Sequence, residues 1–454
     1  MVIASIDILD SKVVQLKQGK DIILEKDNAG ELAKDFDLCG EIAVIDLNAA
    51  MGKELPGASN FVSLSHNIEM IKPLLQSYEC RVGGGIRTAE QAIELVSLGA
   101  KKIIIGSSVF RPAAVHDAGA ANAANGPKPY SVNFPLLEDF AEKIGRERLI
   151  VAVDSRNGEI VIDGWKTNTG LPLIETAKSL EKHTGGLLFT CVEREGTMTG
   201  INMEQVRELR KAFSGNICVA GGVSTLGEIE ELSSMGCDVQ LGMALYRGDI
   251  SLPDAFISSL NWKKAENGLL PLIAQSSDGQ ILMTGYTDKI ALSESFKRKK
   301  LCFHSRSRNK LWMKGENSGN TLDLIRIRMD CDADAILAIV DPAGPICHTG
   351  NWSCFFPSRK FTWEFLQNII NDRFKNPVKG SYTATLDDKL VREKIMEEAE
   401  EFCLAQTRDE KIWEAADLIY FATVLMSKEG ITIEDVLSEL QRRHLSKPLG
   451  KPAK

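Results

Sequence analysis

Residues 82–88, Val-Gly-Gly-Gly-Ile-Arg-Thr, and residues 219–225, Val-Ala-Gly-Gly-Val-Ser-Thr, are two versions of one motif in this 454-residue chain. Each motif follows an apolar run and precedes a segment of helical periodicity that leads to a second glycine, Gly106 or Gly242. The spacing from Gly84 to Gly106 differs by one residue from the spacing from Gly221 to Gly242. This internal repeat predicts two half-barrels with one phosphate-binding design each.

Around the repeat, residues 1–249 alternate short apolar runs with amphipathic segments. The runs at residues 44–47, 102–106 and 149–154 are typical of buried parallel strands, and residues 90–97 are typical of a helix. Repeated strand–helix units of this length predict an α/β fold of the TIM-type (β/α)8 barrel class. Residues 111–137 are rich in Ala, Gly and Pro, and we expect a mobile surface insertion at the catalytic rim there.

Two aspartates, Asp7 and Asp154, are predicted at the C-terminal ends of equivalent strands, where barrels carry their chemistry. Two carboxylates that face each other across a barrel mouth can divide acid and base catalysis. The glycine pairs let backbone amides approach a phosphate, so two opposite sites predict a substrate with a phosphate at each end. The candidate substrate-binding residues of the barrel are Gly84, Gly85, Arg87, Gly106, Ser107, Gly221, Gly222, Gly242 and Met243.

These motifs resemble the phosphoribosylformimino-aminoimidazole carboxamide ribotide isomerase family over the whole first half of the chain. The residues that carry the resemblance are Asp7 with residues 12–19, residues 83–87, Asp154 with Gly164-Trp165, residues 221–224 and residues 242–246. Gly164-Trp165 and the Ala244-Leu245-Tyr246 ending favour the isomerase over the related cyclase subunit of imidazole glycerol phosphate synthase. The resemblance implies an Amadori-type rearrangement in which Asp154 protonates the ribose ring oxygen and Asp7 moves the C2 proton.

The sequence departs from the isomerase pattern after the sixth strand. The family usually has an acidic residue after a threonine and then Arg-Asp-Gly-Thr, whereas this chain has Thr190-Cys191 and Arg194-Glu195-Gly196-Thr197. A shift of about 1 Å in a catalytic group can cost about 100-fold in rate. The departure leaves open an alternative in which the barrel is slow, altered in substrate, or retained as a scaffold.

Residues 261–356 change character and predict a small α+β metal-binding domain. Cys331, Cys347 and Cys354 can hold Zn²⁺ as thiolates and leave a fourth position for a water that ionises near pH 7. Three aspartates at alternate positions offer oxygen ligands to a second ion such as Mg²⁺. These aspartates are Asp330, Asp332 and Asp334.

Planar donors, an aromatic ring and a lysine precede the metal motifs and suit phosphate and purine recognition. They are Arg306, Arg308, Trp312 and Lys314. Together these motifs closely resemble phosphoribosyl-AMP cyclohydrolase. The resemblance implies that the three cysteines bind zinc, with ligands shared across a homodimer interface, and that the three aspartates bind magnesium. Hydroxide would then attack C6 of an N1-ribosylated adenine, and His348 would either shuttle the proton or only pack beside the zinc site.

Residues 361–446 are almost wholly helical in pattern, with Thr362 as the expected first N-cap and Gly430 as a helix end. Glu397, Glu398 and Glu401 share one helix face, and Glu414 and Asp417 lie three apart on the next helix. A helical hairpin would bring both sets together around Mg²⁺. Glu414 and Asp417 lie within an apolar run that includes Trp413 and Ile419. This run predicts that the two carboxylates are shielded from solvent.

This helical segment resembles phosphoribosyl-ATP pyrophosphohydrolase. The resemblance rests on residues 380–383, Lys394, the three glutamates and the Glu414-Asp417 pair. It implies that the segment binds a nucleoside triphosphate and that magnesium assists water in releasing pyrophosphate.

The composition fits a cytoplasmic enzyme rather than a nucleic-acid-binding or membrane protein. A net charge of −8 argues against a nucleic-acid-coating function, and no apolar run approaches the length that spans a bilayer. Ten scattered cysteines indicate a reducing compartment, and we expect no signal peptide before the first strand-like residues.

The three resemblances concern consecutive steps of histidine biosynthesis, so the sequence predicts one polypeptide with three activities. It would take phosphoribosyl-ATP, phosphoribosyl-AMP and the ribotide intermediates. One alternative is a bifunctional enzyme with a degenerate barrel. Another is a zinc-stabilised nucleotide-binding module without turnover, which the intact cysteine and carboxylate clusters disfavour.

Overall fold

The computed structural model describes residues 1–17, 19, 21–52, 66–112, 130–377 and 380–445. Most of the insertion expected at residues 111–137, and the tail from residue 446, lie outside the described residues. The described chain forms a closed parallel barrel, then a small α+β region, then a helical region, which confirms the predicted fold class.

In the described part of the N-terminal region there are twenty-five α-helices and strands. In chain order they are β1 (Val2–Leu9), β2 (Lys12–Lys17), β3 (Asp21–Lys26), α1 (Ala29–Phe36), β4 (Ile42–Asp46), α2 (Leu47–Ala50), α3 (Ile68–Ser77), β5 (Cys80–Gly83), α4 (Ala89–Ser97), β6 (Lys102–Ile105), β7 (Phe110–Pro112), β8 (Tyr130–Val132), α5 (Phe134–Ile144), β9 (Leu149–Ala152), β10 (Ser155–Arg156), β11 (Glu159–Ile162), β12 (Thr167–Pro172), α6 (Leu173–Leu180), β13 (Gly186–Thr190), α7 (Met203–Ala212), β14 (Asn216–Ala220), α8 (Leu226–Ser234), β15 (Cys237–Leu241), α9 (Met243–Tyr246) and α10 (Leu252–Ser259).

Eight parallel strands close the barrel. Their order is β1-β4-β5-β6-β9-β13-β14-β15, and β15 pairs back with β1. Branched and small side chains fill the interior, because eight tilted strands leave room only for layers of side chains. This interior cluster is Ile3, Ala43, Ile104, Ile150, Leu188, Cys218 and Ala220.

The backbone repeats the sequence motif in both halves of the barrel. Thr88 and Thr225 each close a capping box at the start of a helix, α4 and α8. Gly106 (φ −121°, ψ −103°) and Gly242 (φ −118°, ψ −96°) adopt nearly the same conformation before a short helical turn. The two halves therefore share local geometry as well as sequence, as the internal repeat predicted.

The N-terminal end of the barrel is closed by buried charges. Arg81, which is 1% exposed, donates from Nε to Glu41 Oε2 at 2.9 Å, and Lys102 donates to Glu41 Oε1 at 2.8 Å. The Met1 amino group donates to Asp238 Oδ1 at 2.9 Å. Pairing allows these charges to be buried at the end of the barrel away from the strand C-termini.

The α+β region contains a mixed sheet, one α-helix and a separate two-stranded hairpin. Its elements are β16 (Leu270–Ser276), β17 (Ile281–Thr287), α11 (Lys289–Arg298), β18 (Cys302–Ser305), β19 (Lys310–Met313), β20 (Leu322–Met329) and β21 (Ile336–Pro342). The sheet order is β17-β16-β21-β20, and β18 pairs with β19 in the hairpin.

This region contacts the barrel on the connection that precedes β4. Asp37 accepts from Arg326 and Arg328 at 2.9 and 3.0 Å, and the amide of Ile327 donates to the Leu38 carbonyl at 2.7 Å. The connection before a parallel strand lies at the N-terminal end of that strand, so the contact is opposite the catalytic end of the barrel.

The helical region comprises α12 (Trp363–Lys375), α13 (Tyr382–Thr385), α14 (Asp388–Leu404), α15 (Arg408–Lys428) and α16 (Ile433–Leu445). Thr362 caps α12 as predicted, accepting from the Phe365 amide at 3.2 Å. A small core joins these helices through Ile370, Leu386, Val391, Phe421 and Val424. None of the helices in the described residues is long and apolar enough to cross a membrane.

Candidate active sites

A cavity of about 290 Å³ opens at the C-terminal ends of the barrel strands. Asp7, Asp154 and Glu195 all line it. Asp154 follows the end of β9, as expected for a strand-end carboxylate, whereas Asp7 lies two residues inside β1. The difference arises because β1 continues into a hairpin, in which Asp7 pairs with Val14.

The Asp7 carboxyl group lies in the wall of the cavity and is half-buried. Ser5 Oγ donates to Asp7 Oδ1 at 2.6 Å, which favours the ionised form. Burial has the larger effect and raises the pKa of Asp7 to about 6. Asp7 is therefore ionised at neutral pH and more basic than an exposed aspartate, as a general base requires.

Two donors fix the Asp154 carboxyl group. Trp165 Nε1 donates to Asp154 Oδ2 at 2.9 Å, and the Thr190 hydroxyl is a second partner. Burial raises the pKa of Asp154, and the two hydrogen bonds oppose that shift. Trp165 packs over Gly19, where a Cβ would lie 2.9 Å from the indole ring, so only glycine fits beneath it.

Glu195 is one of the two residues in which the chain departs from the isomerase pattern, and it lines the cavity. It is half-buried, and desolvation together with the charges of Asp7 and Asp154 raises the pKa of Glu195 to about 8. Glu195 therefore keeps its proton at neutral pH. The sequence identified the position as unusual but did not indicate that its longer side chain still reaches the cavity.

The two glycine motifs differ in what faces them. Gly84, Gly85, Arg87, Gly106 and Ser107 line the cavity, whereas Gly221, Gly222, Gly242 and Met243 are not among the described residues that line it.

The conformation of each motif explains this difference. At Gly84 (φ +107°) a Cβ would lie 2.1 Å from the Asp46 carbonyl, so the close approach there requires glycine. The second motif packs against the loop after β13, where the Gly200 amide donates to the Gly222 carbonyl at 3.0 Å. The two halves thus present unequal surfaces to a ligand.

A second pocket lies in the α+β region and contains Arg306, Arg308, Trp312 and His348. Tyr286 and His304 also line it, and sequence reasoning did not identify either of them. The pocket collects positive and aromatic groups, which suits an anionic nucleotide. Lys314 is not among its described lining residues and instead lies near Cys347 and Cys354.

The structure brings two of the three candidate zinc-binding thiols together. Cys347 and Cys354 interact with each other, and a hydrogen bond from Thr349 is the main cause that lowers the pKa of Cys347. Cys331 lies apart from them, with its Sγ 4.0 Å from Asp332 Oδ1. Within the described part of one chain, the three cysteines do not form a single cluster.

The three aspartates do form one cluster, with ligand oxygens within 4.8 Å of one another. Asp330 Oδ1 also accepts from the backbone amides of Asp334 and Ala335 at 3.0 and 3.1 Å, which shapes the loop. Lys264, which sequence reasoning missed, donates to Asp332 and, at 3.0 Å, to Asp334. A cation therefore already lies against these carboxylates.

In the helical region, Glu398, Glu401 and Glu414 present oxygens within 4.8 Å of one another. Asp417 lies near enough to raise the pKa of Glu398, although burial contributes more. Glu397 is outside this group and pairs with Lys394 at 2.7 Å.

Glu414 and Asp417 are half-buried, whereas two of their apolar neighbours are exposed in the single chain. Trp413 is 70% exposed and Ile419 is 43% exposed. These two side chains lie on a side of α15 that α12 and α14 leave uncovered.

Three family models match the chain in succession. The first, histidine biosynthesis protein, matches residues 1–251. The second, phosphoribosyl-AMP cyclohydrolase, matches residues 283–356, and the third, phosphoribosyl-ATP pyrophosphohydrolase, matches residues 364–444.

Curated relatives match a shorter part of the chain. The histidine biosynthesis bifunctional protein HisIE of Photobacterium profundum is 38% identical over 206 residues, which is 42% of this chain and 99% of that protein. The protein of the same name from Pyrococcus furiosus is 40% identical over 206 residues, 42% of this chain and 98% of its own length. The Campylobacter jejuni protein is 41% identical over 194 residues, 40% of this chain and 93% of its own length.

Proposed function

The chain belongs to the histidine biosynthesis protein family, with cyclohydrolase and pyrophosphohydrolase regions following its barrel, and from that premise we propose that the barrel is an active isomerase. The chain is a multifunctional enzyme of histidine biosynthesis. The proposed domains are residues 1–249, 261–356 and 361–446. The observation that carries the isomerase proposal is the set of three half-buried carboxyl groups that line one cavity.

Asp7 is the proposed base. Its raised pKa, near 6, leaves it ionised at pH 7 while making it a better proton acceptor than an exposed aspartate. In this proposal Asp7 takes the proton from C2 of the opened aminoaldose and delivers it to C1. Burial excludes water, which would otherwise compete for that proton.

The Asp154–Glu195 pair is the proposed acid. Asp154 is held by Trp165 and Thr190, which favour its ionised form, whereas no comparable donor opposes the raised pKa of Glu195. The acidic proton therefore resides on Glu195 at neutral pH, and in this proposal it passes to the ribose ring oxygen as the ring opens, with Asp154 beside it.

Phosphate binding in the barrel is proposed for the first glycine motif together with Arg87 and Ser107, which line the cavity. Gln240 supports a further polar contact, because its buried Oε1 has no partner among the described residues and lines the same cavity. The second motif, with Gly221, Gly222, Gly242 and Met243, is proposed to hold the other phosphate through its backbone amides.

The cyclohydrolase region fits a zinc ion if two copies of the chain meet. One chain offers Cys347 and Cys354 together, and a second copy would offer Cys331, which fits a homodimer. When bound, zinc supplies a hydroxide nucleophile near neutral pH. In this proposal Arg306 and Arg308 orient the phosphates of phosphoribosyl-AMP, Trp312 packs against the base, and His348 moves the proton; all four line the same pocket.

The carboxylate clusters fit magnesium because their oxygens converge. Asp330, Asp332 and Asp334 form one such set, and Glu398, Glu401 and Glu414 form the other. Glu397 and Asp417 flank the second set. When bound there, magnesium neutralises the triphosphate of phosphoribosyl-ATP. Lys394 adds a positive charge beside the glutamates.

All ten cysteines are free thiols, which supports a reducing, cytoplasmic location. The substrates are proposed to be phosphoribosyl-ATP, phosphoribosyl-AMP and the ribotide that follows, with no nucleic acid or membrane as partner.

The test is to incubate the purified chain with phosphoribosyl-ATP, Mg²⁺ and Zn²⁺ and to resolve the products by chromatography. The expected end product is the rearranged ribulosyl compound. Accumulation of the ring-opened but unrearranged compound would instead identify a bifunctional enzyme with the barrel as a scaffold. A D7N variant is the matched control, because it should stop the reaction at that same compound without affecting pyrophosphate release.

A further inference from the structure

The turn between β18 and β19 carries two arginines into the pocket of the α+β region. Arg306 stacks its guanidinium 4.0 Å from the centroid of the Tyr286 ring, and no ion pair is recorded for it among the residues that the structure describes. Arg308 donates from Nε to Ser305 Oγ at 3.2 Å, and its Nη1 lies 3.9 Å from Glu316 Oε1. A stacked guanidinium without an anionic partner is arranged to receive one.

His304, in β18 just before this turn, is held on both sides of its ring. Its Nδ1 lies 2.7 Å from Asp288 Oδ2, and its Nε2 lies 3.1 Å from Asn309 Oδ1. The other oxygen of Asp288 accepts from the Ala291 amide at 2.7 Å and so caps α11. Because an ionised carboxylate only accepts, His304 Nδ1 is the donor to Asp288.

These contacts join two separate pieces of the region. Asp288 belongs to the start of α11, whereas Asn309 belongs to the turn, where it adopts a left-handed conformation (φ +45°). The imidazole between them is mostly buried, with 16% of the side chain exposed. It therefore connects the arginine-bearing turn to the capped end of a helix.

We propose that His304, fixed by Asp288, is a positioning residue that holds Arg306 and Arg308 for a phosphate monoester. Both ring nitrogens contact protein oxygens, so neither is directed at a substrate atom, and the residue acts through the turn rather than on the reacting atoms. Fixing the turn in advance lowers the ordering cost that binding would otherwise carry. The inference rests on the proposed cyclohydrolase function, because that function supplies the phosphorylated substrate.

The test measures AMP binding to the full chain by calorimetry. The difference in AMP binding between the wild-type chain and an R306A variant defines the part of the binding that belongs to this pocket. In H304F a ring of similar size keeps the packing but loses the hydrogen bond to Asp288 and the polar contact with Asn309, and we expect the Kd for AMP at this pocket to rise about 5- to 20-fold. In turnover, KM for phosphoribosyl-AMP should rise by a similar factor while kcat stays within about twofold.

A second variant covers the case in which H304F does not fold. N309G suits the left-handed backbone yet removes the amide that His304 contacts, so AMP binding should weaken in the same direction by a smaller factor. N267G is the matched control, because Asn267 is exposed and also left-handed (φ +52°) but lies outside the pocket.

Unchanged AMP affinity in folded H304F and N309G would overturn the proposal. Loss of kcat with unchanged KM would also overturn it, since that result belongs to a catalytic acid or base. The proposal would also be overturned if the R306A variant bound AMP as tightly as the wild-type chain does. Weaker AMP binding in H304F together with no cyclohydrolase turnover in the wild-type chain would support the positioning role while rejecting the proposed function.

Discussion

At the scale of single residues, three carboxyl groups in one cavity differ because their surroundings differ. Asp7 has a serine donor, Asp154 has an indole and a hydroxyl, and Glu195 has two acidic neighbours. Burial raises the pKa of all three, and the local partners determine how far it rises. A base and an acid thus coexist in the cavity at neutral pH.

Isomerase turnover should follow a bell-shaped pH profile. Asp7 must be ionised, so kcat/KM should rise through about pH 6, and Glu195 must be protonated, so kcat/KM should fall through about pH 8. Steady-state rates from pH 5 to 9.5 measure this. D7N should lower kcat by about 100-fold or more. An alkaline limb that persists unchanged in E195Q would show that Glu195 is not the acid.

Glu195 should also reduce stability as pH rises. Its pKa is higher in the folded chain than in the unfolded chain, so folding favours the protonated form, and stability falls between about pH 4.5 and pH 8. E195Q should therefore be more stable than the wild-type chain at pH 8, and the two should converge near pH 4.5.

Urea denaturation at pH 5, 7 and 8.5 tests this stability prediction. E208Q, an exposed position on α7, serves as the control and should show no such pH dependence. A difference between E195Q and wild type that is the same at all three pH values would contradict the mechanism.

At the scale of elements, α14 and α15 place like charges on facing surfaces. Glu398 is 6% exposed. Burial is the main cause that raises the pKa of both Glu398 and Glu414, and nearby acidic groups raise it further. Such a pair of helices is strained without a cation and is stabilised by one.

Magnesium should therefore stabilise the helical region. At a concentration of 100 times Kd the gain is about 2.7 kcal/mol. In a D332N background, which removes the site at Asp330, Asp332 and Asp334, E401Q should raise the melting temperature of the metal-free chain and abolish the magnesium-dependent increase, as measured by scanning calorimetry. E400Q changes an exposed glutamate of the same helix and should keep the full increase. An increase that survives in E401Q would mean that magnesium binds elsewhere.

The segment between α10 and β16 contacts the aspartate loop, which is the loop of residues 330–334 that carries Asp330, Asp332 and Asp334. The Asn261 amide donates to the Ala333 carbonyl at 2.7 Å, and Trp262 Nε1 donates to the Ile257 carbonyl at 2.8 Å. These contacts hold Lys264 against Asp332 and Asp334. A divalent ion must displace the lysine ammonium to reach those carboxylates.

Removing the ammonium should strengthen metal binding at the aspartate loop. Exposed ion pairs contribute little, so K264Q should tighten Mn²⁺ binding only modestly, about 2- to 10-fold. Electron paramagnetic resonance would measure it in an E401Q background, which removes the helical site. K263Q, an exposed neighbour, should leave the affinity unchanged. Weaker binding in K264Q would mean that the lysine shapes the loop instead.

At the scale of the whole molecule, one chain holds an incomplete set of thiols. Cys347 and Cys354 lie together, and Cys331 lies beside the aspartate loop. A second copy related by twofold symmetry would complete both sets at once, because each chain both gives and receives the missing ligand.

Mixing two inactive variants should therefore restore cyclohydrolase activity. C331S and C347S chains that are unfolded and refolded together would form hybrid dimers with one intact set of cysteines. Random pairing predicts recovery of about a quarter of wild-type activity. The measurement is cyclohydrolase turnover of the mixture against each variant refolded alone. No recovery, with dimers confirmed by light scattering, would place all ligands within one chain.

The sequence by itself determined the features that depend on neighbours along the chain. The repeat of residues 82–88 in residues 219–225 predicted the barrel, because strand and helix periods are local. The aspartates at 330, 332 and 334 converge because one short loop carries them. The Thr362 cap was likewise predictable from adjacent residues.

Tertiary structure alone decided the contacts between distant segments. It placed Glu195 beside Asp7, separated Cys331 from the other thiols, and brought Asp288 to His304. It also left Trp413 exposed, against the sequence-based expectation. The physical reason is that burial and pairing across elements depend on how whole helices and strands pack, which no local pattern of residues specifies.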